Sequence, residues 1–296
     1  MSSLRSEPSE DLVQRLLTAQ FPNLEGPVVT AVEPGGNDNR TFRVGEELSV
    51  RLPSAQAYVA GIEKEHRWLP RLADRLPLQT PVLEGLGIPG EGYPWPWSIH
   101  RWMTGSDLTT ATEVDGRRAA RDLGEFLSEL RAVDAHGGPA AGEHSFFRGA
   151  SLTRYDGETR SALAALSSML SRETIAAAAQ IWDVAVDSEW DAQPVWFHGD
   201  LSAGNILADD GRLTAVIDFG TCGVGDPSCD LVIAWTYFEG EQRHVFADAV
   251  GLNARTWSRA RGWALWKALV RIRENGPTHS EQIRVMTEVL ADPVRA

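Results

Sequence analysis

Hydrophobic positions near the start of the chain follow first a helical and then a strand-like period. A helical pattern begins after Ser9, a residue type that favours helix N-caps, and ends before Pro22. Three short β-type runs separated by turn residues follow, over residues 28–32, 41–44 and 48–52. The short turns between these runs predict an antiparallel meander.

A second helix and two further strands are predicted before residue 105. Residues 58–72 have apolar side chains at helical spacing, whereas residues 80–85 and 97–103 have the pattern of strands. A Pro/Gly-rich stretch over residues 88–96 joins these two strands and is predicted to be a loop.

The pattern becomes mostly helical in the rest of the chain. Ala-rich segments with apolar residues at i, i+3, i+4 and i+7 dominate, and amphipathic helices are predicted over residues 256–274 and 280–290. Two short strand-like pieces, at residues 195–197 and 213–219, interrupt this helical region.

Length and composition agree with two globular lobes. The chain has 296 residues, of which 43% are hydrophobic and 23% charged, and this composition excludes wholesale disorder. The change from strands to helices predicts a mostly β N-lobe over residues 1–102 and a mostly helical C-lobe over residues 103–296.

Charge, cysteines and the N-terminal sequence limit the class of protein. The formal net charge of −13 argues against binding a phosphate backbone, so no nucleic-acid partner is expected. Cys222 and Cys229 match no disulfide framework and no zinc-ligand spacing. Without a signal-peptide pattern or an apolar run of about 18 residues, we expect a cytoplasmic protein with no membrane partner.

One polar segment carries the candidate chemistry. Asp200 and Asn205 lie in a polar loop after one strand-like piece, and Asp218 follows an intervening hairpin. One Asp oxygen and one Asn oxygen, together with waters and phosphate oxygens, suit a hard octahedral ion such as Mg²⁺. The remaining Asp can orient a hydroxyl nucleophile and accept its proton.

Three short motifs in this region are similar to those of a known enzyme family. The sequence reads H-G-D-x-x-x-x-N over residues 198–205, I-D-F-G over residues 217–220 and G-D-P-x-x-D-L over residues 225–231. In this order, after a β lobe of suitable size, the motifs resemble those of the aminoglycoside phosphotransferase family, a branch of the protein-kinase-like fold. The resemblance covers nearly the whole chain.

The resemblance implies a fold, a reaction and roles for the motif residues. The fold class is α+β, a bilobal protein-kinase-like fold with an antiparallel β N-lobe and a mostly helical C-lobe. The reaction moves the γ-phosphoryl of ATP or GTP to a hydroxyl of a small molecule. Asp200 matches the catalytic aspartate, and Asn205 and Asp218 match the Mg²⁺ ligands. His198 is expected to brace the loop backbone, and Asp230 either to tie the loop to the following helix or to line the substrate side.

The nucleotide side of the N-lobe departs from the family pattern. Arg51 occupies the strand position where the family carries a lysine, and its guanidinium can clasp phosphate oxygens and pair with a carboxylate. Glu65 is the predicted pairing carboxylate, with Glu63 as the alternative. Further nucleotide contacts are predicted in the hairpin that covers the phosphates and in the inter-lobe linker: Gly36, Asn37, Asn39, Thr41, Ile99, Arg101 and Trp102.

The acceptor is predicted to be a small cationic or hydroxyl-bearing molecule. An aminoglycoside-like antibiotic is the preferred acceptor, and a macrolide or a metabolite such as homoserine, choline or a ketosamine is the alternative. Glu239, Glu241 and Glu274 in the C-lobe are either ordinary solvated surface charges or, together with the negative net charge, an acidic rim that attracts a polycation. Because the usual lysine is missing, a catalytically impaired, kinase-like binding protein is the rival interpretation.

Overall fold

The computed structural model describes residues 8–24, 26–33, 36, 38–276 and 280–292. The helices, in chain order, are α1 (Glu10–Gln20), α2 (Val59–Ala73), α3 (Gly116–Ala132), α4 (Asp156–Leu166), α5 (Arg172–Asp187), α6 (Ile233–Thr236), α7 (Gly240–Val250), α8 (Ala254–Asn275) and α9 (Ser280–Ala291). The strands are β1 (Val29–Ala31), β2 (Asn39–Val44), β3 (Leu48–Pro53), β4 (Leu83–Gly87), β5 (Trp97–Arg101), β6 (Ser106–Asp107), β7 (Val195–Phe197), β8 (Ile206–Asp209), β9 (Arg212–Val216) and β10 (Gly223–Gly225).

A five-stranded antiparallel sheet forms the N-lobe, with the strands in the order β1-β2-β3-β5-β4. Helix α1 is capped by Ser9, whose hydroxyl accepts a hydrogen bond from the Leu12 N–H. Leu16 of this helix lies in one buried cluster with Val50 and Ile99 of the sheet. Each such buried aliphatic side chain stabilises the fold by about 1.5–3 kcal/mol.

Strand β4 begins later than the run over residues 80–85 predicts. The backbone of Gln79 pairs instead with the C-lobe hairpin, donating to the Thr214 carbonyl at 3.0 Å and accepting from the Val216 N–H at 2.9 Å. Pro81 follows and has no N–H to donate to a sheet. The segment before β4 is therefore held against the C-lobe and joins the N-lobe sheet only at Leu83.

Two other predicted strands end early. Strand β9 ends at Val216 instead of continuing to residue 219. Asp218 has a φ of 65°, in the left-handed region, and this conformation turns the chain out of the extended path of a strand. Strand β5 ends at Arg101, two residues before the end of the predicted run.

Helix α8 is the centre of the C-lobe and packs against α4, α5 and α9. It begins before the predicted residue 256 because Asn253 caps it, accepting a hydrogen bond from the Thr256 N–H at 3.0 Å. Among the described residues no helix, α8 included, combines the length and the apolar character needed to span a membrane. A helical C-lobe beside an antiparallel β N-lobe confirms the predicted fold class.

Two small sheets place the polar segment at the boundary of the lobes. Strand β7 pairs antiparallel with β10, and β6, β8 and β9 form a three-stranded sheet. The polar loop, residues 198–205, connects β7 to β8, and Asp218 follows β9. The side chains predicted to carry the chemistry therefore lie at neighbouring strand ends.

Candidate active site

A cavity of about 600 Å³ between the lobes contains most of the predicted site residues. Thr41, Arg51 and Trp102 line it from the N-lobe, and Asp200 and Asp218 line it from the C-lobe. Polar groups that are far apart in the sequence thus converge on one cleft.

The backbone of the polar loop is fixed by a buried carboxylate. Asp230, 1% exposed, accepts hydrogen bonds from the N–H groups of His198 and Gly199, both at 2.7 Å. Gly199 has a φ of 88°, and a Cβ there would lie 2.8 Å from the Thr221 carbonyl oxygen. The contacts place Asp230 in the first of its two predicted roles, as a tie between the polar loop and the turn over residues 227–232.

The His198 ring braces the same loop. Its Nε2 lies 3.0 Å from the Ile217 carbonyl oxygen, which can only accept a hydrogen bond, so Nε2 carries the proton. Its Nδ1 then accepts a hydrogen bond from the Asp200 N–H at 3.2 Å. Both ring nitrogens are occupied, and the ring is not free to act as a base toward a substrate.

Asn205 holds the Asp200 side chain in place. Its amide nitrogen donates to the Asp200 carbonyl oxygen at 2.8 Å and to the Asp200 carboxylate at 3.2 Å. This orientation leaves the amide oxygen of Asn205 without a hydrogen-bond donor among the described residues, on a side chain that lines the cleft. The carboxylate of Asp200 keeps its second oxygen for other partners.

Asp218 forms an ion pair across the lobes. Arg51 Nη2 donates to its Oδ1 at 2.8 Å. Burial alone would raise the pKa of Asp218, but the charge and hydrogen bond of Arg51 lower it below its ordinary value. Asp218 is therefore ionised at neutral pH, as a metal ligand must be.

Arg51 also pairs with a carboxylate of helix α2. Its Nη1 lies 3.2 Å from Oε1 of Glu65, whereas Glu63 is exposed to solvent. Burial raises the pKa of Glu65, and the Arg51 charge only partly opposes this shift. The rigid fork of a guanidinium allows one residue to reach both carboxylates at once. Arg51 thereby joins β3, α2 and the segment after β9.

The predicted phosphate hairpin lies partly in the cleft. Gly36, Asn39 and Thr41 line the cavity, and Asn37 lies outside the described residues. The Asn39 amide oxygen is buried without a hydrogen-bond partner in the described part of the chain. Burial and the charges of Asp218 and Asp200 raise the pKa of Asp38 to about 6.

The predicted linker residues divide between the cleft and the core. Arg101 and Trp102 line the cavity, whereas Ile99 is 1% exposed and belongs to the N-lobe core. Side chains alternate along β5, so its neighbours Ser98 and His100 face the cleft side. Burial lowers the pKa of His100 to about 3, so that ring is neutral.

Two cleft residues, Asp38 and His100, were not singled out from the sequence. Asp38 lies inside the predicted hairpin, but glycine and asparagine are the stronger turn signals there. His100 belongs to a strand in which alternation could have shown the inward side. Lys64 was also missed. Only the composition could have drawn attention to it, because two of the 28 Lys and Arg residues are lysines.

Of the three C-lobe acids predicted to form a rim, Glu239 is exposed to solvent, whereas Glu241 and Glu274 have basic neighbours. Glu241 pairs with Arg117 at 3.2 Å, and Glu274 pairs with Arg271 at 3.4 Å. Lys267 of α8 is half-buried, and burial lowers its pKa although the nearby Asp200 charge opposes this shift. Asp200 therefore has a lysine ammonium in its vicinity.

The donor set fits a hard divalent cation. Asp218 supplies a carboxylate, and Asn205 supplies the amide oxygen that its own hydrogen bonds leave free. Mg²⁺ is commonly held by one or two such oxygen ligands with waters and substrate phosphates completing the octahedron. These two residues would hold Mg²⁺ at the wall of the cleft.

Solved structures of antibiotic phosphotransferases share this fold. The GDP and kanamycin complex of APH(2″)-IIIa has a TM-score of 0.72 at 19% identity, covering 94% of this chain and 97% of that chain. The streptomycin–ATP–APH(2″)-IIa ternary complex has a TM-score of 0.61 at 18% identity, covering 98% of both chains. Macrolide 2′-phosphotransferase from Brachybacterium faecium has a TM-score of 0.59 at 22% identity, covering 97% of this chain and 100% of that chain.

Sequence similarity identifies the family. No curated protein is significantly similar in sequence to this chain. The profile of the phosphotransferase enzyme family, however, matches residues 29–263, which include the N-lobe sheet, the polar loop and most of the C-lobe. This match confirms the family resemblance that the three motifs indicate, and the chain belongs to the phosphotransferase enzyme family.

Proposed function

We propose that the protein transfers the γ-phosphoryl group of ATP or GTP to a hydroxyl of a small-molecule antibiotic. One observation carries the proposal, the convergence of Asp200, Asn205 and Asp218 with Arg51 on one cleft between the lobes. The completeness of this set argues against the rival interpretation as a catalytically impaired binding protein. A protein that no longer transferred phosphate would not need to keep a base, two metal ligands and a phosphate clamp together.

The nucleotide occupies the cleft beneath the N-lobe sheet. The GDP and ATP complexes among the similar structures support a nucleoside triphosphate as the donor. Arg51 would contact its phosphates from β3, and Asn205 and Asp218 would hold Mg²⁺. When bound, the metal neutralises charge on the phosphate oxygens.

Asp200 acts on the acceptor. Its carboxylate accepts a hydrogen bond from the acceptor hydroxyl, orients the oxygen toward the γ-phosphorus and takes the proton as the new P–O bond forms and the bond to the nucleoside diphosphate breaks. Asn205 and His198 keep this carboxylate in position through the contacts described above.

An aminoglycoside is the first acceptor candidate, supported by the kanamycin and streptomycin complexes of structurally similar phosphotransferases. A macrolide is the second, supported by the similar macrolide 2′-phosphotransferase and by the positive charge of Lys267 near Asp200. Positive charge at this position repels a polycation more than a molecule with one amine.

An acceptor panel tests the proposal directly. The protein is incubated with ATP or GTP, with Mg²⁺ or EDTA, and with aminoglycosides, macrolides and small amino alcohols, and nucleoside diphosphate release is measured. We expect Mg²⁺-dependent release that rises with one antibiotic class. If no acceptor raises release above the background of the protein alone, the proposed function is wrong.

Replacing Arg51 should weaken use of the nucleotide. We expect Arg51→Ala to raise the nucleotide KM by a factor that corresponds to losing a charged hydrogen bond, about 1.5–3 kcal/mol. Arg51→Lys, which keeps the charge but cannot reach both carboxylates, should be intermediate. Steady-state kinetics measures the nucleotide KM, and thermal unfolding controls for the loss of stability caused by an unpaired Glu65. An unchanged KM would assign the phosphate contact to another residue.

Replacing Lys267 should help a polycationic acceptor. At low ionic strength we expect Lys267→Met to lower the KM of kanamycin by roughly threefold, because one nearby positive charge is removed. The difference should vanish at about 0.5 M salt, where the Debye length is only a few ångströms. A KM that does not change at either ionic strength would place the bound acceptor beyond the reach of Lys267.

A further inference from the structure

The use of lysine in this chain is unusually selective. Two of the 28 Lys and Arg residues are lysines, Lys64 and Lys267, and the others are arginines. A lysine ammonium is a compact point charge with three donors, whereas a guanidinium is a planar fork. A buried lysine can therefore direct three hydrogen bonds at acceptors that a planar fork cannot reach together.

Lys64 occupies a position of this kind. It is 7% exposed, and its Nζ donates to His144 Nδ1 at 2.9 Å, to the His144 carbonyl oxygen at 3.1 Å and to the Cys222 carbonyl oxygen at 3.0 Å. His144 Nε2 lies 2.8 Å from the Ala140 carbonyl oxygen, so Nε2 carries the proton and Nδ1 accepts from the lysine. All three ammonium donors are satisfied, none of them by a carboxylate.

The acceptors belong to the C-lobe, whereas Lys64 belongs to helix α2. Cys222 ends the short turn over residues 219–221, and Asp218 begins it. About one turn earlier in helix α2, a Cβ on Gly61 would lie 3.3 Å from the Gly220 Cα. Helix α2 therefore packs directly on this turn. Glu65, the next residue after Lys64, contacts the same turn through the Phe219 N–H.

We propose that Lys64 is a positioning residue that ties helix α2 to the turn carrying Asp218. The tie keeps Glu65 and Asp218 within reach of Arg51, which pairs with both. Through these ion pairs it sets the geometry of the nucleotide site. Lys64 touches no reacting atom in this arrangement. Its consequence for catalysis rests on the proposed function, whereas the tie itself does not.

The electrostatic surroundings agree with a buried ammonium held by neutral acceptors. Burial lowers the pKa of Lys64 to about 8, and the nearby Glu65 carboxylate opposes the shift. Burial and the Lys64 charge lower the pKa of His144, which keeps that ring neutral and able to accept. The ammonium is therefore charged and fully hydrogen-bonded at neutral pH.

Nucleotide binding in the absence of acceptor tests the tie. Calorimetric titration with Mg²⁺–ATP and Mg²⁺–GTP should show at least about tenfold weaker binding for Lys64→Met. Lys64→Arg should not restore affinity, because a planar fork cannot direct three donors at these acceptors. Arg71→Met, which removes an exposed positive charge from the same helix, should bind like the parent. Parent-like binding by Lys64→Met would overturn the proposal.

A second variant covers the case in which Lys64→Met does not fold. His144→Leu removes the ring acceptor but leaves both carbonyl acceptors, so it should weaken nucleotide binding by roughly threefold and leave the acceptor KM unchanged. An unchanged nucleotide affinity in a folded His144→Leu protein would contradict the tie. A change in acceptor KM alone would also contradict it.

Lysine-selective NMR supplies a readout that needs no activity. With ¹⁵N-lysine the chain gives two side-chain signals, and the one lost in Lys64→Arg belongs to Lys64. We expect this signal to shift when Mg²⁺–nucleotide binds, and we expect the Lys64 ammonium protons to exchange slowly with water because all three are hydrogen-bonded. Ammonium protons that exchange as fast as those of a free lysine would show a solvated amine and overturn the proposal. If the parent binds no nucleotide, the proposed function fails, and the proton exchange still decides the tie.

Discussion

Asp200→Asn is expected to lower turnover by roughly 10²–10⁴-fold, the usual contribution of a positioned base. The amide has the size of the carboxylate and its oxygen can still accept the hydrogen bond from Asn205, so the polar loop should keep its geometry. It cannot take a proton from the acceptor hydroxyl. Mg²⁺-dependent nucleotide binding should therefore stay within about twofold of the parent, since Asp218 and Arg51 are unchanged.

The measurement is single-turnover phosphoryl transfer to the best acceptor of the panel, with nucleotide binding measured on the same sample. Asp209→Asn, an exposed acid on strand β8, is the matched control and should behave like the parent. Near-normal transfer by Asp200→Asn would remove Asp200 from the reaction. Loss of nucleotide binding together with turnover would instead assign it a role in holding the metal.

The residues of the polar loop could be predicted because their roles depend on short spacings. Asp200 and Asn205 are five residues apart, and a single loop brings the Asn205 amide to the Asp200 carboxylate. The His198 brace likewise depends on contacts with near neighbours and with the adjacent strand end. The short spacings make this loop recognisable in the sequence, but its backbone also depends on Asp230, which lies 31 residues from Gly199 along the chain.

Contacts between distant segments could be predicted only in outline. A carboxylate partner for Arg51 was predicted on α2, and Glu65 lies there, but the second bond from Arg51 to Asp218 joins residues 167 positions apart. The left-handed φ of Asp218 was also not visible, because strand-like side chains precede it. Tertiary packing decides both features, and no window of sequence contains them.

The acceptor side is the part for which sequence patterns were least informative. Glu241 and Glu274 were counted as free negative charges, whereas each has an arginine within ion-pair distance. Exposed pairs of this type contribute little to stability, about 0–1 kcal/mol, but they cancel much of the field that a free acid would produce. Net charge therefore does not determine the potential beside Asp200.

Asp218→Asn is expected to abolish the Mg²⁺ dependence of nucleotide binding. Loss of even an outer-sphere partner of a metal ligand commonly costs 10–100-fold in metal affinity, so loss of the ligand charge should weaken Mg²⁺–nucleotide binding by more than about 100-fold. Asparagine is the informative substitution, because it tolerates the left-handed φ of 65° better than alanine does. Backbone strain then does not obscure the loss of charge.

The fold should survive this substitution, because Arg51 remains paired with Glu65 and the amide oxygen can still accept from its Nη2. The measurement is nucleotide titration of parent and variant with Mg²⁺ and with EDTA, together with thermal unfolding. We expect the parent to bind much more tightly with Mg²⁺ and the variant to bind equally weakly in both. If the variant kept the parent's Mg²⁺-dependent affinity, Asp218 would be only the ion-pair partner of Arg51, and the metal would have to be held elsewhere in the cleft.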